Sequence, residues 1–318
     1  MKKSTLILAI IFIVLVIVVL ITRRGPKVER GTLELKLAKL DTLTVSQIDI
    51  KKPDEGFIFH KGDGQWMITS PVEYKANQDF VRQMLSTFVD LRVEDKRTEN
   101  PEKHGMFEVD TAGTEVTFFA GDEKLLTLIV GKTSQDYSHT FVREMNSPEV
   151  YSVKGVLSGQ LNRNLDSWRD KTIFKAEKTD ITQLALVYPE ETITLYWTGG
   201  NWTISTGEMD NVLADQQTVD QMLNTLSNLR ASLFPKEEEY AEVNFDKPDF
   251  RVDLTTIDGN TVLRMVEEEE QNRFFVHKEG DPTIYQVYKG TVSNLMKKVD
   301  DLKAKEEEKP AEIEIPGP

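Results

Sequence analysis

The segment "LTLIVGKT", residues 126–133, ends like a loop that wraps phosphate, where backbone N–H groups cradle the oxygens and a lysine reaches the terminal phosphate. That chemistry needs G-x-x-x-x-G-K-[ST], and the first glycine would fall at Leu126. The segment therefore reads as a strand ending in a glycine turn. Four histidines, His60, His104, His139 and His277, could act as general bases or metal ligands, yet none has a partner at ligand spacing. His277 also stands where the first half of the chain carries Arg143, which argues against a shared catalytic role.

A serine nucleophile on a sharp elbow would need G-x-S-x-G, which the chain does not contain. The run "EEEE" at 267–270 lacks the spaced oxygens and turn glycine of a calcium loop and reads as solvated surface. There are no cysteines, so thiolate nucleophiles, disulfides and cysteine-held metals are excluded. "NWT" at 201–203 spells a glycosylation sequon but falls on a strand pattern, and chance explains it. Trp66 and Trp202 could stack on a sugar or a peptide; their appearance at matched places argues for packing instead. The sequence thus assigns no catalytic, cofactor-binding or metal-binding residue, and the chain reads as a non-enzyme that needs no cofactor. Carboxylates that converge only in the fold leave an unrecognised hydrolase as an alternative, because spacing does not report convergence.

The elements that would position any such groups occur twice. "QMLSTFVDLR" at 83–92 returns as "QMLNTLSNLR" at 221–230, 138 positions on, and Phe107 and Gly121 keep that offset with Phe245 and Gly259. Trp66 and Trp202 stand 136 apart, and "TFVREMNSPEVYSVKG" from Thr140 pairs with "FFVHKEGDPTIYQVYKG" from Phe274. A period this long is no solenoid; each copy can bury its own core.

Within each copy, Val81, Met84, Leu85, Phe88 and Leu91, and again Val219, Met222, Leu223, Leu226 and Leu229, recur at helical period. Asn77 and Asp215 stand where a side-chain oxygen caps the first turn. "FIFHK" at 57–61 and "FRVDL" at 250–254 alternate with period two, and "GDG", "GG", "GD" and "DGN" supply hairpin turns. The expected fold is α+β: two tandem duplicated units, each a largely antiparallel sheet with one long amphipathic helix, behind an N-terminal transmembrane helix. The expected divisions are 1–30 for anchor and linker, 31–172 and 173–303 for the repeat units, and 304–318 for a disordered acidic tail.

The anchor rests on residues 5–22, an uncharged apolar run between Lys2–Lys3 and Arg23–Arg24. About 17 to 25 such residues span a bilayer, and no small-residue cleavage site follows. The charges on either side, taken alone, mildly favour a cytoplasmic carboxyl side, but a charged start followed at once by an apolar run is the ordinary export signal. The bulk is expected outside a bacterial cytoplasmic membrane, crossed once. A net charge of −14, from 39 basic and 53 acidic residues, repels phosphate backbones, so nucleic acid is not an expected partner.

Through "GQWMITSPVEYKANQDFVRQMLSTFVDLR", "LLTLIVGK", "YSHTFVRE", "EVYSVKG" and "LDSWRDKTIF", the chain resembles the bacterial membrane-anchored family called domain of unknown function 4340. The second unit departs from it, with "MVEEEE" where the first has "LIVGK". The resemblance implies an envelope protein, a scaffold or accessory subunit beside ABC-transporter components of the gliding-motility type, with transporter subunits as membrane partners. A module binding cell-wall glycan or peptide is the alternative.

Overall fold

The computed structural model describes Leu37 and residues 40–304. The chain divides into two compact units, Met1–Asp170 and Lys171–Pro318. The first begins with a meander, β1 (Gln47–Lys51), β2 (Gly56–Gly62), β3 (Gln65–Ser70) and β4 (Tyr74–Lys75), then α1 (Gln78–Val89). It continues through β5 (Val93–Thr98), β6 (Thr114–Ala120), β7 (Glu123–Thr133), β8 (His139–Glu144) and β9 (Val150–Lys154), and closes with the single turns α2 (Ser158–Leu161) and α3 (Leu165–Trp168). All nine strands form one antiparallel sheet, in the order β4-β3-β2-β1-β6-β7-β8-β9-β5.

The alternation of the strands decides which face is covered. Ile48 pairs with Phe59 on one side and Phe118 on the other, while Ile50 pairs with Phe57 and Val116, so these side chains line one face. Val81, Met84, Leu85 and Phe88 of α1 pack on that face, all four nearly or fully buried. Phe88 meets Phe118 edge to face at 5.1 Å, and Phe59 meets Trp168 at 5.0 Å. Burying one such ring contributes about 2 to 3 kcal/mol relative to exposing it. A second, smaller apolar cluster of Val109, Ile129 and Val150 with Phe107, Phe141 and Met145 lies under the loop before β6.

The second unit repeats this plan: β10 (Thr172–Lys175), β11 (Ile181–Val187), β12 (Thr192–Trp197), β13 (Trp202–Ser205), β14 (Val212–Leu213), α4 (Gln216–Leu226), β15 (Asn228–Arg230), β16 (Phe250–Thr256), β17 (Gly259–Glu268), β18 (Arg273–Lys278) and β19 (Ile284–Tyr288). It closes with α5 (Lys289–Ser293) and α6 (Val299–Leu302). Eight strands follow the order β14-β13-β12-β11-β16-β17-β18-β19. In the first unit β5 pairs with the sheet edge at β9; its counterpart 138 positions on, residues 231–236, keeps that edge through Ser232 N–H donating to Gln286 O at 2.7 Å and Gln286 N–H to Leu233 O at 3.0 Å, while the three residues before it, β15, pair with β10.

Both units lock their last segment to the edge strand before the helix. Asn77 N–H donates to Trp168 O at 2.7 Å and Asp170 N–H to Lys75 O at 2.8 Å; Asp215 N–H donates to Leu302 O at 2.6 Å and Ala304 N–H to Leu213 O at 3.2 Å. Asn77 and Asp215 also cap their helices, Asp215 Oδ1 accepting from Thr218 N–H at 2.7 Å.

The expected α+β unit built on one long helix is corrected. Each unit is mostly antiparallel sheet, and its largest helix has 12 residues in the first unit and 11 in the second, about 18 Å at most. The apolar stripe overstated the helix because its last members lie beyond it: Leu91 follows the cap at Asp90, and Leu229 sits in β15. The expected transmembrane helix over residues 5–22, with the linker to residue 30, lies outside the described residues, as does the tail from 305 onward. Among the described residues no helix is long and apolar enough to cross a membrane.

Candidate functional site

The same groove is built twice, once in each unit. Its floor is the tryptophan at the start of the third strand of the meander, Trp66 on β3 and Trp202 on β13, and its wall is one side of the helix that follows. Each strand–helix connection is held by one glutamine at the first helical position. Trp66 N–H donates to Gln78 Oε1 at 2.8 Å, and Gln78 Nε2 donates to Trp66 O at 2.9 Å and Ala76 O at 2.7 Å. In the second unit Trp202 N–H donates to Gln216 Oε1 at 2.8 Å, and Gln216 Nε2 donates to Trp202 O at 3.0 Å and Ala214 O at 2.7 Å.

A side-chain amide has both a donor and an acceptor end, which a clamp on a backbone N–H and its own C=O requires. Sequence reading paired the tryptophans but passed over these glutamines. They share the helix offset of 138, the one signal that could have found them.

The grooves differ in what surrounds that frame. The first, about 410 Å³, is lined by Leu43, Lys61, Trp66, Arg82, Leu85 and Asp90 among others. Lys61 Nζ lies 5.9 Å from the centre of the Trp66 ring. The second, about 380 Å³, is lined by Lys178, Trp197, Asn201, Trp202, Gln216 and Asp220 among others. There Trp197 takes the place of Lys61, its ring centre 5.8 Å from that of Trp202. Trp202 is 6% exposed and Trp197 45%, so one indole is floor and the other presents a face to solvent. Lys178 Nζ and Asp220 Oδ1 are 2.6 Å apart, and the hydrogen bond from Lys178 lowers the Asp220 pKa.

The histidines do not converge. His104 Nε2 contacts Pro148 O at 2.9 Å, His277 Nε2 contacts Asp281 O at 3.1 Å, and His60 is exposed on β2. His139 lies between Ser138 Oγ and the Glu94 carboxylate, a contact hidden in the sequence by a separation of 45 residues. It has the composition of a hydrolytic triad but a different proton order: Ser138 Oγ donates to Asp136 Oδ2 at 2.6 Å. Hydrogen bonds from Ser134 and then Ser138 hold the Asp136 carboxyl well below the usual range. The arrangement orders a turn between β7 and β8 and orients an imidazole.

A third cleft, about 460 Å³, is lined by Lys51, Lys52, Asp110, Glu115, Ile129 and Arg143 among others. Arg143 Nε donates to Val109 O at 2.9 Å, and its Nη1 to Met145 O at 2.7 Å and Ser147 O at 3.1 Å. Burial lowers its pKa, and its donors serve to pin loops. The "VGKT" segment ends β7, where a Cβ on Gly131 would stand 2.2 Å from Phe107 O; close backbone packing explains the glycine. The "EEEE" run is partly paired, Glu267 with Lys289 and Glu268 with Arg273. Among the described residues no cluster of three His, Asp or Glu side chains could hold a metal ion.

No curated protein matches the chain. One family model does, over residues 66–211 and again over 202–315, and each match opens on a groove tryptophan. By that double match the chain belongs to the family described as domain of unknown function (DUF4340), and carries its domain twice.

Proposed function

We propose that this protein is a non-enzymatic subunit of a membrane complex in the bacterial envelope, a scaffold or accessory component of an ABC-transporter-type assembly of the gliding-motility kind. It is held at the cytoplasmic membrane by the apolar run of residues 5–22, with its bulk outside the cytoplasm. The observation that carries this reading is the duplicated groove: one frame of tryptophan, glutamine clamp and helix, made twice in one chain with different rims. A frame kept constant while its rim varies suits an adapter that presents two recognition faces. Fold alone does not name a partner, and the transporter assignment rests on the sequence resemblance.

The test is affinity purification of the tagged full-length protein from gently solubilised native membranes, with mass-spectrometric identification of what stays bound. Transporter permease or ATPase subunits in fixed ratio to the chain are expected. A protein that elutes without membrane partners would contradict the reading.

A second reading, a module that binds cell-wall glycan or peptide, is favoured by the exposed Trp197 at the rim of the second groove. Retention of the protein on isolated wall material tests it.

A further inference from the structure

We propose that the groove of the second unit is a site for a neutral oligosaccharide of hexopyranose rings, one ring stacking on the exposed face of Trp197. This deepens the wall-binding reading and rests on it. A pyranose is amphipathic in a particular way: its axial C–H bonds make an apolar face, and its equatorial hydroxyls point outward around the rim. The groove offers the matching arrangement. Trp197, 45% exposed, is the apolar platform, backed by Trp202 at 5.8 Å. Around it stand Asn201, Lys178 and Asp220, donors and acceptors suited to hydroxyl groups.

The charges make the ligand neutral. Lys178 and Asp220 neutralise each other at 2.6 Å, and Asn224 Nδ2 donates to the other Asp220 oxygen at 3.1 Å. A charged ligand would have to break that pair, whereas a hydroxyl can bridge it. Both side chains remain partly open, with relative exposures of 38% and 57%. A volume of about 380 Å³ falls at the small end of the usual range for ligand pockets.

The first unit acts as an internal control, because the same frame there lacks the site. Lys61 replaces the platform, with its ammonium 5.9 Å from the Trp66 ring centre, and Arg82 replaces Asp220. Trp66 itself is 3% exposed and offers no face for stacking.

The experiment titrates the purified full-length chain with chitotetraose and with cellotetraose, reading tryptophan emission and, independently, equilibrium dialysis. At least one should bind saturably; Trp197→Ala should weaken it about tenfold or more and Asp220→Ala severalfold, while Lys61→Ala leaves it unchanged. Unchanged thermal melting shows that the variants fold. Saturable binding that Trp197→Ala and Asp220→Ala both leave intact would overturn the site but not the wall-binding reading. No binding of either probe up to about 10 mM would overturn the inference. Retention on wall material would then preserve the wider reading, and loss of retention would remove both.

Discussion

Replacing Gln78 by alanine removes three hydrogen bonds at one point and tests whether the glutamine clamp holds the groove frame together. The Trp66 N–H loses its acceptor, and the carbonyls of Trp66 and Ala76 lose a shared donor. Trp66 is 3% exposed, so water does not readily replace these partners. A hydrogen bond contributes about 1 kcal/mol net, and a buried polar group left unpaired costs about 1 to 3 kcal/mol. The half-buried clamp should therefore be worth about 2 to 3 kcal/mol. Gln216→Ala should cost the same within about 0.5 kcal/mol, because its three contacts have nearly the same lengths.

Gln78→Glu separates packing from hydrogen bonding. It keeps shape and acceptor but sets a carboxylate against two carbonyl oxygens, which raises its folded pKa above the unfolded value near 4.3. A raised acid pKa costs nothing below the unfolded value, and its penalty grows as pH rises through the folded one. Gln78→Glu should thus approach the parent below about pH 4 and fall behind it at pH 7. The assay is urea unfolding of the full chain at both pH values, followed by tryptophan emission and circular dichroism, with each transition fitted separately since two units need not melt as one. Either alanine variant within about 0.5 kcal/mol of the parent, or Gln78→Glu within that margin at pH 7, would refute the reasoning.

Phe88→Ala should cost about 3 to 5 kcal/mol by urea unfolding, since Phe88 is fully buried against Phe118 and its removal leaves a cavity in the sheet–helix core. Gly131→Ala should destabilise the first unit by about 1 to 3 kcal/mol in the same assay, because its Cβ would stand 2.2 Å from the Phe107 carbonyl and 2.7 Å from Val109 Cγ1. Burial disfavours the Asp281 carboxylate, but hydrogen bonds from the Tyr285 hydroxyl at 2.7 Å and the Thr283 N–H at 2.9 Å outweigh it and hold its pKa below the ordinary value. A depressed folded pKa stabilises above the unfolded value near 4 and is lost as pH falls through the folded one, so Tyr285→Phe should cost about 1 kcal/mol at pH 7 after solvent screening, a gap that closes on acidification.

What could be read beforehand follows from what carries a periodic signal. The stripe from Val81 to Phe88 is buried because its spacing matches one face of a helix, and the same holds from Val219 to Leu226. Hairpin turns announced themselves through residues that tolerate positive φ, as Asp63 and Gly64 do at 49° and 77°. The length of the helix was misread because Leu91 and Leu229 continue the stripe although the backbone has already left it; a buried apolar side chain does not report its own φ and ψ.

Long-range pairing was illegible for a different reason. Nothing local in "VEDKRT" says that it will join β9, or that "NLR" at 228–230, the three residues before its counterpart, will join β10. The groove lay between these cases. Its tryptophans were visible as a matched pair, but Gln78 and Gln216 are polar residues at helix starts, where a solvent-exposed amide is the ordinary expectation. Only the fold shows the amide turned back onto the strand.

A subunit of the proposed kind would hold its partners at the membrane, and the mass of the assembly tests this most directly. Native mass spectrometry of the full-length protein, released from its own membranes in mild detergent, should give one dominant species whose mass equals the chain plus transporter permease and ATPase subunits in whole-number ratio. A dominant species at 36.3 kDa, the chain alone, would contradict the account.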